Sequence, residues 1–214
     1  MRNDKAATSK KIIELISNLA YFELADLSVV KIDKNYLKVL LSRLIKKEKI
    51  AQLKKGMYVS KDYLDKIQKE DIFSDYYEFI ANLLYKPSYL SLEYVLYENN
   101  ILTESPKNFT SICLNKTNNF SNNLGNFYYH KIKKELFTGF NIYKKSDFSI
   151  FKASKAKALF DFLYLRKNIL IDSNSIKELR LNLKNFKNIE KKELKKYIFL
   201  EKSNKMKMIF DSLF

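Results

Sequence analysis

Residues 33–60, DKNYLKVLLSRLIKKEKIAQLKKGMYVS, decide the fold. Asp33 stands where a helix N-cap is expected, with a carboxylate to receive the first free backbone N–H groups. Behind it Leu37, Leu40, Leu41, Leu44 and Ile45 follow the i, i+3, i+4, i+7, i+8 spacing of a helix packed on a core, which predicts a helix to about Lys47. The opposite face displays Asn35, Lys38, Val39, Ser42, Arg43 and Lys46. Amide, hydroxyl, methyl and cationic groups in one row suit the major groove of DNA, where base edges offer acceptors, donors and the thymine methyl. Two strand-like runs follow, 50–53 and 57–60, around Lys54-Lys55-Gly56. Gly56 can take the positive φ of a tight hairpin, and the lysines at its tip would meet phosphate or minor groove.

Upstream, Thr8 or Ser9 can cap a helix carrying Ile12, Ile13, Ile16, Leu19 and Ala20, and residues 23–30 form a short second segment with Leu24, Leu27 and Val30 on one side. Any single lysine here could equally be a solvated bystander. The ordered combination of helices, polar-faced helix and basic hairpin predicts a winged helix-turn-helix over residues 1–66. Its candidate DNA contacts are Lys10, Lys11, Lys34, Asn35, Lys38, Val39, Ser42, Arg43, Lys46, Lys54 and Lys55.

Residues 67–214 read as an α+β body. A polar helical connector (61–71) leads into a helix over 72–85, with Phe73, Tyr76, Tyr77, Ile80, Leu83 and Leu84 on its apolar side and Lys86-Pro87 as its stop. Ser88 or Ser91 can cap the next helix, which turns Leu92, Val95 and Leu96 inward. Strands are expected at 109–114, 126–132, 140–144 and 148–152, and the Asn-rich stretch 115–126 reads as a loop or hairpin connection. Ser154 caps a helix bearing Ala158, Leu159, Phe162, Leu163 and Leu165, and the last 40 residues are helical. The pattern predicts a small antiparallel sheet among several helices.

The net charge of +16 points to a polyanion, but Asn, Ile, Tyr and Phe are also abundant, as AT-rich codons would make them. Residues 1–66 carry 15 Lys+Arg against 8 Asp+Glu, and residues 67–214 carry 25 against 16, so the excess is denser in the first third without being confined to it. Placement, rather than total charge, therefore carries the DNA reading. No apolar run approaches the roughly 18 residues of a bilayer span, and MRNDKAATSKK has no apolar stretch of a signal peptide. These features, with a single cysteine, lead to the expectation of a reducing, cytoplasmic setting.

Catalytic chemistry is thinly represented. His130 is the one histidine, Cys113 lies in a strand-like run without a neighbouring base, and Gly56, Gly125 and Gly139 are isolated. Asp161, alone on an apolar helix, is expected to bond the backbone or a lysine inside the fold. The expectation is a non-enzyme without cofactor or metal.

Three stretches in order, KKGMYV (54–59), KPSYLSLEYVLYENNIL (86–102) and ASKAKALFDFLYL (153–165), resemble the AbiEi family of bacterial antitoxins, the antitoxin halves of type IV toxin-antitoxin pairs. The family usually has Pro-Glu where this chain has Lys155-Ala156, so no role carries over to those positions. The resemblance implies a winged helix that binds inverted repeats in its own promoter and represses the operon. It also implies a body that neutralises a nucleotidyltransferase-like toxin encoded beside it, in pairs that can act in phage defence by abortive infection. Relatives are not described as gripping the toxin stably. The residues alone leave two other readings open: a stand-alone winged-helix regulator with a ligand-sensing or dimerising body, and a nucleic-acid chaperone relying on bulk charge.

Overall fold

The helix expected after Asp33 forms as α2 (Lys34–Lys46). The Asp33 carboxylate accepts from the backbone N–H of Asn35 at 2.9 Å and of Tyr36 at 3.0 Å, which satisfies two donors of the first turn. Leu37, Leu40, Leu41 and Leu44 are buried and Ile45 is half-buried. The computed structural model describes residues 2–214, with side chains from residue 8 onward.

Ahead of α2, α1 (Arg2–Ile16) starts well before Thr8 and Ser9, so neither hydroxyl caps it. Lys5, Ala6 and Ala7 are strong helix formers that carry the helix upstream. Residues 23–30, expected as one helical segment, divide into β1 (Phe22–Glu23) and a 3-10 turn (Asp26–Val30). Asp26 accepts the Glu23 N–H at 2.7 Å, which favours a local turn. The β-branched pair Val29-Val30 discourages continuation into an α-helix.

After α2 come β2 (Ile50–Lys54) and β3 (Met57–Ser60), which pair antiparallel, with β1 on the far side of β3 in the order β1-β3-β2. Gly56 holds φ +83° in the turn; a Cβ there would meet no atom within 4 Å, so backbone conformation rather than space requires glycine. Ile12 and Ile16 of α1, Phe22 of β1, Leu27, the α2 leucines and Ile50 form one core.

The connector forms α3 (Lys61–Lys69), capped by Ser60, whose hydroxyl accepts from the Tyr63 N–H at 3.0 Å. The next helix is α4 (Phe73–Leu84). By packing, the chain divides into two units, Met1–Tyr77 with Ser121–Leu124, and Glu78–Phe120 with Gly125–Phe214. The sequence reading places the join after residue 66. Inside the first unit, Tyr76 donates its hydroxyl to the Ala20 carbonyl at 2.7 Å, and the Asn122 amide donates to the Leu53 carbonyl at 2.9 Å.

The second sheet corrects the expectation of a small antiparallel one. Its strands are β4 (Ser88–Leu90), β5 (Asn108–Cys113), β6 (Asn118–Asn122), β7 (Gly125–Lys131), β8 (Phe140–Lys145) and β9 (Phe148–Ala153). They lie in the order β6-β7-β5-β4-β9-β8. β5 and β7 are parallel, as are β4 and β9, whereas β4–β5 and β8–β9 are antiparallel, so the sheet is mixed. The Asn-rich stretch, read as a loop or hairpin connection, holds the edge strand β6 and the short turn into its neighbour β7. An edge position tolerates Asn and Ser, which central strands disfavour. Its excursion lets β7 come back parallel to β5.

Ser88, one of two candidate helix caps, is a buried strand residue, and α5 (Leu92–Glu98) begins after Ser91. The remaining helices are α6 (Lys155–Arg166), capped by Ser154 as expected, α7 (Ser173–Lys177), α8 (Asn188–Glu201) and α9 (Asn204–Leu213). Strand register puts Tyr129, Leu90 and Lys152 on one face of the sheet, where Tyr129 bonds the Ala81 carbonyl of α4. It puts Tyr89 and His130 on the other, where Tyr89 bonds Asp161 of α6. Among the described residues, no helix is long and apolar enough to cross a membrane.

Candidate nucleic-acid interface

Burying four leucines of α2 fixes what the rest of the helix must show to solvent. Lys34, Asn35, Lys38, Val39, Ser42, Arg43 and Lys46 are all exposed. Val39 is 48% exposed and offers a bare methyl face among the polar groups. From Asn35 to Lys46 the row runs about 16 Å at 1.5 Å per residue. No ion pair engages Lys34, Lys38, Arg43 or Lys46 among the described residues. From Lys31 to Lys55 the chain carries nine Lys and Arg against Asp33 and Glu48, and Asp33 is occupied with capping. The row is therefore a cationic surface with mixed hydrogen-bonding groups and, among the described residues, no ion pair.

The β2–β3 turn presents Lys55 to solvent, while Lys54 is half-buried, at the point where an irregularity between Gln52 and Lys54 shifts the register. Such an irregularity twists a hairpin and re-aims the side chains next to it. Tyr58 of β3 stacks on Phe22 of β1, with ring centroids 5.6 Å apart, which ties the hairpin to the core beneath α2.

Of the eleven residues read as DNA contacts, the fold gathers seven on α2 and sets Lys54 and Lys55 on the turn. Lys10 and Lys11 are exposed on α1, joined to the others only through the shared core, and Lys10 lies 3.9 Å from Glu14. Sequence reasoning passed over Lys31, Lys47 and Lys49, exposed at the two ends of α2. Lys31 holds a left-handed conformation, φ +49°, as it closes the 3-10 turn. The run of basic residues was a signal for Lys47 and Lys49, whereas nothing in the sequence marks Lys31's geometry.

The second unit uses its charges differently. Lys157 and Asp161, one helical turn apart on α6, are both fully buried and lie 2.6 Å from each other. The Lys157 ammonium also donates to the Leu136 carbonyl at 2.9 Å and sits over the ring of Phe160. The second Asp161 oxygen accepts from Ser91 at 2.8 Å and from Tyr89 at 3.1 Å. Burial pushes the Asp161 carboxyl up and the Lys157 ammonium down, and in each the partner's charge works against that shift. Asp161 thus bonds a lysine inside the fold, as expected. Lys152 bridges Glu78 and Glu98, Lys155 meets Glu190, Arg166 meets Glu93 and Lys167 meets Glu201.

A cleft of about 1240 Å³ opens beside α6, lined by Tyr128, His130, Phe162, Arg166 and Arg180 among others. Burial lowers the His130 pKa, and the Arg166 charge adds to the effect while Glu93 opposes it. Cys113 is buried in β5. Among the described residues no group of His, Cys, Asp and Glu is arranged to hold a metal ion. In comparisons with known proteins, neither a family model nor a curated protein matches the chain.

Proposed function

We propose that this chain is a DNA-binding antitoxin whose first unit is a winged helix-turn-helix and which is not an enzyme. In this reading α2 lies in the major groove of operator DNA, and the Lys54–Lys55 turn is the wing that holds phosphate beside it. The observation that carries it is the α2 surface: four cations with no ion pair among the described residues, interleaved with Asn35, Val39 and Ser42, on a helix whose opposite side is anchored by four buried leucines. Positioning comes from the lysines and base reading from Asn35, Ser42 and Arg43. The toxin-neutralising role of the body, the nucleotidyltransferase-like toxin and the cytoplasmic setting rest on the resemblance of the three sequence stretches.

Two measurements test it. Binding of the full chain to the DNA upstream of its own coding sequence, in competition with unrelated duplex, is expected to show sequence preference. Arg43→Ala is expected to relax that preference by about 1–3 kcal/mol at one base pair. Equal binding to both duplexes would sink the operator reading. Co-expression with the neighbouring toxin is expected to restore growth, and failure would remove the antitoxin role.

The cleft beside α6 favours a second reading, a stand-alone winged-helix regulator whose body senses a small ligand. Its aromatic and charged lining residues offer both packing and polar contacts to such a molecule. A neighbouring coding sequence for a nucleotidyltransferase-like protein distinguishes the two.

A further inference from the structure

We propose that β8 is a self-pairing edge, through which two copies of this chain join their six-stranded sheets into one. β8 is a terminal strand of the sheet, paired along its whole length with β9, from Phe140 opposite Ala153 to Lys145 opposite Phe148. An antiparallel partner on one side uses only alternate N–H and C=O groups, so the others point outward along the free edge. Natural edges are usually blunted by proline, bulges or charge. β8 has no proline, its register with β9 runs without a shift, and its only charges, Lys144 and Lys145, are confined to one end.

The strand also exposes apolar surface in its middle, on both faces. Ile142 lies opposite Phe151 and is 59% exposed; Tyr143 lies opposite Ile150, on the other face, and is 40% exposed. A partner docking on one face of the sheet would cover one of these side chains. An added strand covers both, because its own side chains alternate above and below.

Charge selects the occupant. The β8 lysines, Lys144 and Lys145, stand together at one end, and Lys145 leans back toward Glu78 at 3.7 Å. If a second copy pairs antiparallel about a two-fold axis at Ile142, Ile142 meets Ile142, Tyr143 meets Asn141, and Lys144 meets Phe140. Shifting the axis by one residue to Tyr143 pairs Tyr143 with Tyr143 and places Lys144 opposite Ile142 and Lys145 opposite Asn141. In either register no lysine faces a lysine, and the apolar residues meet at the centre, so the strand complements itself. The opposite edge, β6, has the sequence NNFSN and offers no such apolar pair.

The test uses the full-length chain. Sedimentation over a wide concentration range is expected to show a monomer–dimer equilibrium. A two-fold interface counts each substitution twice, so a tenfold cost per strand makes Ile142→Lys weaken the dimer roughly 100-fold. Ile142 is largely exposed, so the thermal melt of that variant should be unchanged. Ile142→Cys is expected to give a covalent dimer under mild oxidation, and Tyr143→Cys does so instead if the axis lies at Tyr143. The natural thiol, Cys113, is buried and does not compete. A chain that stays monomeric at every concentration overturns the proposal. So does a dimer that tolerates Ile142→Lys and yields no cross-link from either cysteine variant.

Discussion

Removing the two lysines of the β2–β3 turn, Lys54→Ala with Lys55→Ala, tests the DNA reading through salt dependence. Five lysines stand on the proposed interface, Lys34, Lys38 and Lys46 on α2 and Lys54 and Lys55 on the turn, with Arg43 assigned to a base. Each phosphate neutralised contributes about −0.9 to the slope of log K against log salt, so five give about −4.5. Between 50 and 200 mM salt, that slope weakens binding roughly 500-fold. The double variant leaves three contacts, a slope of about −2.7 and a loss of roughly 40-fold over the same range. Fluorescence anisotropy with labelled duplex at a series of salt concentrations reads the slope directly. Lys184, exposed in the second unit, provides the control as Lys184→Ala. The reasoning is refuted if the double variant keeps the wild-type slope, or if Lys184→Ala flattens it as much. Affinity alone would not decide the matter, because a distorted fold also weakens binding, whereas a slope shallower by about 1.8 counts the lost phosphate contacts.

Asp161→Ala leaves the Lys157 ammonium and the Tyr89 and Ser91 hydroxyls buried without their acceptor, so urea denaturation should show a loss of about 3–5 kcal/mol. Lys157→Met with Asp161→Leu removes both charges and should recover most of it. Burial pushes the Cys113 thiol up to about 11, so at pH 8 it should resist alkylation in the folded chain and react after unfolding. His130 has its pKa lowered on folding, chiefly by burial, so protons bind the unfolded chain more readily. Stability should therefore fall as pH drops through the ordinary histidine value of about 6.5, and His130→Gln should flatten that part of the profile.

Strong local signals survived into three dimensions. Asp33, Ser154 and the α2 leucines each combine a cap or a helical spacing with burial that agrees with it, and their helices formed where the spacing put them. The misreadings fall where tertiary packing overrides propensity. Ser88 carries the hydroxyl of a helix cap, yet it begins a central strand in a fully buried run, Ser88-Tyr89-Leu90. Asn118 to Asn122 carry turn-forming side chains, which fit the hairpin connection expected there, yet they also pair as an edge strand because β7 lies beside them. Parallel pairing was illegible for a related reason. Period-2 alternation marks a strand without giving its direction, and β5 and β7 become neighbours only after the excursion through β6.

The net charge of +16 was a poor guide because it sums charges with different fates. In the second unit Lys152, Lys155, Lys157, Arg166 and Lys167 each meet a carboxylate, and Lys157 and Asp161 do so with no access to water. Such pairs brace the unit internally; they leave little field for a distant polyanion, since a neutralised pair falls off faster with distance than a bare charge. On α2 no carboxylate lies within the helix, and the nearest acidic residue before it, Asp33, is held by the first turn. Bare charge on a rigid helix is what the proposed phosphate contacts call for, since among the described residues no ion pair on α2 has to be broken on binding. The site was readable from sequence to the extent that a helical stripe of leucines forces its opposite face outward. Apart from Lys157, whose partner Asp161 stands one turn on, the internal partners of the body's cations were not readable, because their glutamates lie on helices 34 or more residues away in the chain.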